Sequence, residues 1–294
     1  MSTLPPQYDA VDTIRCLGYS ERQASFIYKV ALYSGFFLRR QFNFAVQRHR
    51  GWIAANFLAK AIRAGHVREI QCAPARLLYQ ICSKHIYRIA GHEDSRNRRA
   101  KSPREIRRRL IMLDYVLARL GKQEFLDTDA SRRKFFAQFG VKEDALASAN
   151  KFGELLPVSV RQEKKPTVMF AFIDEGQRSI AKFERFLSTH DRLLCSLPAF
   201  EVVYVAVRPE LFREARELFG RLFPSRPAAQ LKKLPVVAGQ VPSIIPTAEL
   251  ILQLVEDCYP SHLGSDPVCS AVWSRGQRPE QKSFFSSEMP DEAV

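Results

Sequence analysis

Over the first ninety positions the apolar residues recur at three- and four-residue intervals, and after Gly65 at every second residue. That switch predicts helices followed by strands. Ser20 with Gln23 three residues on is a capping box. Phe26, Val30, Tyr33 and Phe37 follow at helical spacing, so a first helix is expected over about 21–34, with Gly35 near its end. The residues before it, with Pro5 and Pro6, read as a loose arm. A short second helix covers about 38–46, and a third runs from about 50–51 to Gly65, a C-cap residue. At about 100° per residue, Ile53, Ala54, Phe57, Leu58, Ala61 and Ile62 fall on one half-circle and are expected to face a core. Trp52, Ala55, Asn56, Ala59 and Arg63 fall on the other, with Lys60 at its edge. Residues 66–71 and 76–82 then read as two short strands joined through Pro74, which a turn accepts and a ladder interior does not. Ser83 caps a short helix over 84–90 that ends at Gly91.

Further along, Ser102, Pro103 and Glu105 form a helix start: N-cap serine, proline in the first turn, an acid at the third position. The helix they open carries Ile106, Leu110, Leu113, Leu117 and Leu120 on an arc of about 80°. Ile111, Met112, Tyr115 and Val116 are apolar elsewhere on it. Such a helix is sandwiched, either in the chain's own core or against a second subunit, which makes a homodimer through the 106–120 helix one expectation. Residues 131–139 form a short helix with Phe135, Phe136 and Phe139 inward, and 151–166 resemble a linker in composition. A strand at 168–173, a helix at 177–194, a strand at 202–207 and a helix from 209 carrying Leu211, Ala215, Leu218 and Leu222 predict a parallel α/β unit. Two strands are few for a sheet, so 158–160 and 234–238 are candidate partners. The Pro-, Ser- and Gly-rich stretch beyond 261 reads as a disordered tail.

Charge changes this picture. Residues 1–110 hold 21 Lys and Arg against 7 Asp and Glu, whereas 111–294 hold 24 of each. The whole excess of +14 therefore belongs to the first third, a basic head on a neutral body, as expected for a partner that is a polyanion. The longest apolar runs, 168–173 and 202–207, fall far short of the ~18 residues that span a bilayer, so no membrane partner is expected. The N-terminus lacks signal-peptide features, and six cysteines in 294 residues read as free thiols of a reducing cytoplasm.

Three helices and a β-hairpin are the layout of a winged helix-turn-helix. The stretch 57–67, with Gly65 closing the third helix, and then Leu77-Leu78-Tyr79-Gln80-Ile81 and Ser83-Lys84, resembles bacterial winged-helix DNA-binding proteins over about 21–92. A weaker resemblance is to the replication-relaxation proteins of plasmids and mobile elements. The expected fold class is α+β. Its layout is an arm at 1–20, a winged helix at 21–92, a basic segment with amphipathic helix at 93–125, a helical linker at 126–165, an α/β domain at 166–260 and a tail at 261–294.

The resemblance implies a recognition helix, and the residues expected to touch duplex DNA there are Arg48, His49, Arg50, Trp52, Asn56, Lys60 and Arg63. Guanidinium and amide groups pair with guanine and adenine edges. Arg68 and Arg76 flank the wing, which lies along phosphate or in the minor groove. From 96 to 109 eight of fourteen residues are basic: Arg96, Arg98, Arg99, Lys101, Arg104, Arg107, Arg108 and Arg109, with Glu105 the lone acid. This run suits phosphate neutralisation rather than base reading. Asp174 and Glu175 end a buried strand, where α/β sheets place sites and where adjacent carboxylates hold Mg²⁺. The blander reading is an acidic turn before Gly176. No CxxC, HxxxH, HExxH, GxGxxG or Walker-type glycine loop is present, so neither cofactor nor nucleotide hydrolysis is expected. The function expected is non-enzymatic DNA binding, in replication of a mobile element or in transcriptional regulation. The alternatives are a Mg-dependent nuclease using Asp174 and Glu175, and a protein–protein adaptor.

Overall fold

A computed structural model describes residues 7–47, 51–73, 76–141, 156–161, 166–176, 179–224 and 247–255. Helix α1 (Gln7–Cys16) stands where part of the loose arm at 1–20 is expected, and residues 1–6 of that arm lie outside the described residues. Ala10 and Ile14, four residues apart, are buried against the helices that follow, and this gives the segment a core face.

Helices α2 (Glu21–Tyr33), α3 (Arg39–Ala45) and α4 (Gly51–Arg63) lie close to their expected limits, with strands β2 (Val67–Ala73) and β3 (Arg76–Ile81) and helix α5 (Lys84–Ile89) after them. The capping box is formed: the Gln23 amide donates to Ser20 Oγ and the Ser20 amide to Gln23 Oε1. Ser83 Oγ likewise accepts from the Ile86 amide. A two-residue strand β1 (Phe36–Phe37) was not foreseen; it pairs antiparallel with β3, giving the order β1-β3-β2. Gly35 makes that turn possible. Its φ is +75°, and a Cβ there would stand 2.9 Å from Asn97. Phe37 stacks on Tyr79 and meets Phe26 edge-on, while Phe42 stacks on Phe57 at 4.1 Å, so aromatic rings fill the space between helices and sheet.

Helix α6 (Pro103–Leu117) starts where Ser102 Oγ accepts from the Glu105 amide. Beyond it come β4 (Glu124–Phe125), α7 (Asp129–Ala137), β5 (Val158–Arg161), β6 (Thr167–Asp174), α8 (Ile180–Cys195), β7 (Ala199–Ala206), α9 (Phe212–Leu222) and β8 (Thr247–Leu254). The five strands stand in sequence order; β4–β5 and β5–β6 are antiparallel, and β6–β7–β8 are parallel. The α/β unit therefore begins before 166, and 126–165 is no mere linker, because α7 and β5 belong to it. Strand 158–160 is present as expected, 234–238 lies outside the described residues, and β4 and β8 are the strands of this sheet that sequence periodicity does not predict. The tail beyond 261 also lies outside them.

Strand alternation assigns the two faces of this sheet. Val168, Phe170, Phe172, Val202 and Tyr204 pack with α8 and α9. Met169, Ala171, Ile173, Val203 and Val205 join α6 and the N-terminal helices in one continuous core. Ile106, Leu110 and Leu113 are wholly buried there and Leu117 nearly so, because α6 is packed on several sides by the chain itself. The leucine stripe is covered within the chain, which overturns the expected homodimer seam on the 106–120 helix. A buried polar seam ties the same parts together: Lys29 pairs with Asp127, and Tyr33 donates to the other Asp127 oxygen. Burial, with Asp127 beside it, holds the Tyr33 pKa well above its usual value. Among the described residues, Cys16, Cys72, Cys82 and Cys195 are free thiols, and no helix is long and apolar enough to cross a membrane.

Candidate functional site

The outward face of α4 is the first candidate surface. Trp52, Ala55, Asn56, Ala59 and Arg63 are all exposed, while Ala54, Phe57, Leu58 and Ala61 are buried against the aromatic core. On a 3.6-residue helix Trp52, Asn56, Ala59 and Arg63 share an arc of about 60°. Ile62 departs from expectation: it is 39% exposed and edges this arc instead of facing the core. It sits in the last turn of the helix. Helix α4 contains no acidic residue.

Lys60 stands apart from that arc. Its ammonium donates to the Gly18 carbonyl and lies 5.2 Å from the Tyr19 ring centre, so it clamps the end of α1 to α4. Tyr19 Oη is 2.8 Å from His66 Nδ1, just past the end of α4. Burial raises the Tyr19 pKa to about 12, and burial together with His85 lowers that of His66. Arg48, His49 and Arg50 lie outside the described residues, as do the side chains of Arg76 and Arg96.

The second candidate surface adjoins the hairpin. Arg68 Nε donates to Gln80 Oε1 at 2.8 Å, and Gln80, itself fully buried, donates through Nε2 to the carbonyls of Asn97 at 3.0 Å and Arg99 at 3.4 Å. Asn97 Nδ2 donates in turn to the Ala31 carbonyl at 3.1 Å. One side chain thus ties the hairpin's Arg68 to the backbone of the basic segment, and both Arg68 and Arg99 remain exposed.

The rest of the basic run is divided by packing. Arg109 is buried: it donates to the Ser34 carbonyl, to Asn97 Oδ1 and to Glu105. Lys101 pairs with Glu105 at 3.0 Å, and Arg104 pairs with Glu175. Arg98 reaches back to the Glu93 carbonyl. Arg107 and Arg108 are half-buried and engaged within the chain. Much of this basic run is thus engaged within the chain, while Arg99 and Arg104 are its exposed members among those described.

The acids at the end of β6 are committed as well. Asp174 accepts from the Gly176 amide and from Tyr204 Oη, each at 2.8 Å, and Glu175 is buried against Arg104. No group of three or more His, Cys, Asp and Glu side chains poised for a metal ion occurs among the described residues. Phe44 on α3, a residue the sequence pattern does not single out, is 56% exposed. Comparison of the chain with protein-family models, with curated proteins and with solved structures finds no match.

Proposed function

We propose that residues 21–92 are a winged helix-turn-helix that binds duplex DNA. In this reading α4 enters the major groove, and Arg68 and Arg99 meet phosphate. The observation that carries it is the exposed, acid-free arc of α4 with Asn56 and Arg63 one after the other along it. The order of α2, β1, α3, α4 and the β2–β3 hairpin supports the same reading, as does the confinement of excess charge to residues 1–110. The resemblance noted in the sequence implies a setting in plasmid or mobile-element replication, or in transcriptional regulation. The nuclease alternative loses its footing with Glu175 taken up by Arg104.

The test uses the full chain, since cutting near 125 would strip α6 of the sheet that covers it. Fluorescence anisotropy with a random-sequence duplex across salt concentrations should give log K falling with log salt at about −0.9 per phosphate contacted. At a preferred site, Asn56→Ala and Arg63→Ala should each cost about 1–3 kcal/mol. A salt slope near zero, or unchanged binding in both variants, refutes the reading.

A further inference from the structure

A helix that only neutralised phosphate would present mainly Lys and Arg outward, whereas the exposed face of α4 carries just Lys60 and Arg63 of that kind. Trp52, Ala55, Ala59 and Ile62 make much of its exposed surface apolar, around Asn56 and Arg63. Trp52 is 61% exposed, a large ring left in water beside a core that contains many others. Ala55 and Ala59 stand one turn apart and end at Cβ, so the helix axis is free to approach a partner closely between Trp52 and Arg63.

In the major groove the apolar feature of a base edge is the C5-methyl group of thymine, and the adenine paired with it offers N6 and N7 to an amide side chain. Both features belong to one A·T pair. Resting on the DNA-binding reading above, we infer that α4 recognises thymine methyl groups. Trp52, Ala55 and Ala59 cover the methyls, and Asn56 takes the adenine edge. Charge selects nucleic acid as the occupant of this apolar arc: the helix has no acid, and Lys60, Arg63 and the adjoining Arg68 are basic.

The experiment starts from the full chain and a duplex enriched from random sequence. That duplex is remade with deoxyuridine in place of thymine, one position at a time, which deletes the methyl and leaves every hydrogen-bonding group. Burial of one methyl corresponds to roughly a fourfold change in affinity, and two to about fifteenfold. Removing the contacted methyls should weaken binding by those factors and leave binding to random-sequence DNA unchanged. Trp52→Ala and Ala59→Leu, both at exposed positions, should bring the thymine-to-uracil ratio close to one; circular dichroism checks that each variant is folded. Equal affinity for thymine and uracil duplexes overturns the inference, as does an enriched site without thymine, while DNA binding itself stands. Absence of duplex binding at low salt instead removes the underlying reading, and the two failures are told apart by the random-sequence control.

Discussion

Arg109→Ala should cost about 3 kcal/mol of folding stability, whereas Arg99→Ala, ten residues earlier in the same basic run, should cost almost none. Arg109 is 3% exposed. Its Nη1 donates to the Ser34 carbonyl at 3.2 Å and to Asn97 Oδ1, and its Nη2 donates to Glu105 Oε1 at 3.1 Å. Breaking a buried ion pair by deleting one partner costs about 3–5 kcal/mol. Glu105 is 27% exposed and keeps Lys101 at 3.0 Å, so its charge is not stranded and the lower end applies. Arg99 is exposed, and a surface substitution of that kind stays within about 0.5 kcal/mol. Its removal should instead flatten the salt dependence of DNA binding by about 0.9 in slope. Urea unfolding followed by circular dichroism, beside anisotropy titrations of the same two variants, separates the roles. Arg109→Ala folded with a loss below about 1 kcal/mol, or a salt slope identical to wild type in Arg99→Ala, would refute this division of the run.

Asp127→Ala should destabilise by about 3–5 kcal/mol, since it leaves the Lys29 ammonium buried with 7% of its side chain exposed; a Lys29→Met, Asp127→Leu double variant that is no more stable than the single one contradicts this. Leu113→Glu with Leu117→Glu should unfold the protein and not yield a folded monomer, because both sites lie in the chain's own core; sedimentation with circular dichroism decides. Burial lowers the pKa values of His92 and His190 below 6.5, so the unfolded chain takes up those protons first. Their contribution to stability is therefore fully present above pH 6.5 and falls as pH drops through that value, so the midpoint of thermal unfolding should be lower at pH 5.5 than at 7.5. His190→Phe should reduce that difference, and an undiminished difference argues for other groups.

Much of the N-terminal fold was legible because its punctuation is local. Ser20, Ser83 and Ser102 each cap a helix, and Gly65 ends α4. Strand β1 was not legible, since two phenylalanines carry no period and pair only because Tyr79 lies opposite. Strand β8 escaped because its leucines and isoleucine, flanked by Glu249 and Gln253 four apart, satisfy helical and strand spacing alike. At the candidate site, the outward arc of α4 followed from helical phase except at Ile62, near the helix end. The basic run misled because charge was counted without phase. Arg109 lies three residues after Ile106 and four before Leu113, so it shares the buried stripe. Its acceptors, Ser34 and Asn97, are brought there by tertiary structure that spacing along the chain does not encode.

Helix α6 is shared between the N-terminal core and one face of the five-stranded sheet, and this gives the molecule a direction. Whatever rests on α4 meets a body in which the sheet is packed through α6 onto the same core. The two ends of any asymmetric partner are then inequivalent to the protein. A copy bound in one direction extends over different neighbouring ground from a copy bound in reverse. Copies placed in succession along such a partner would all point the same way, and protection of the partner would run further to one side of α4 than to the other.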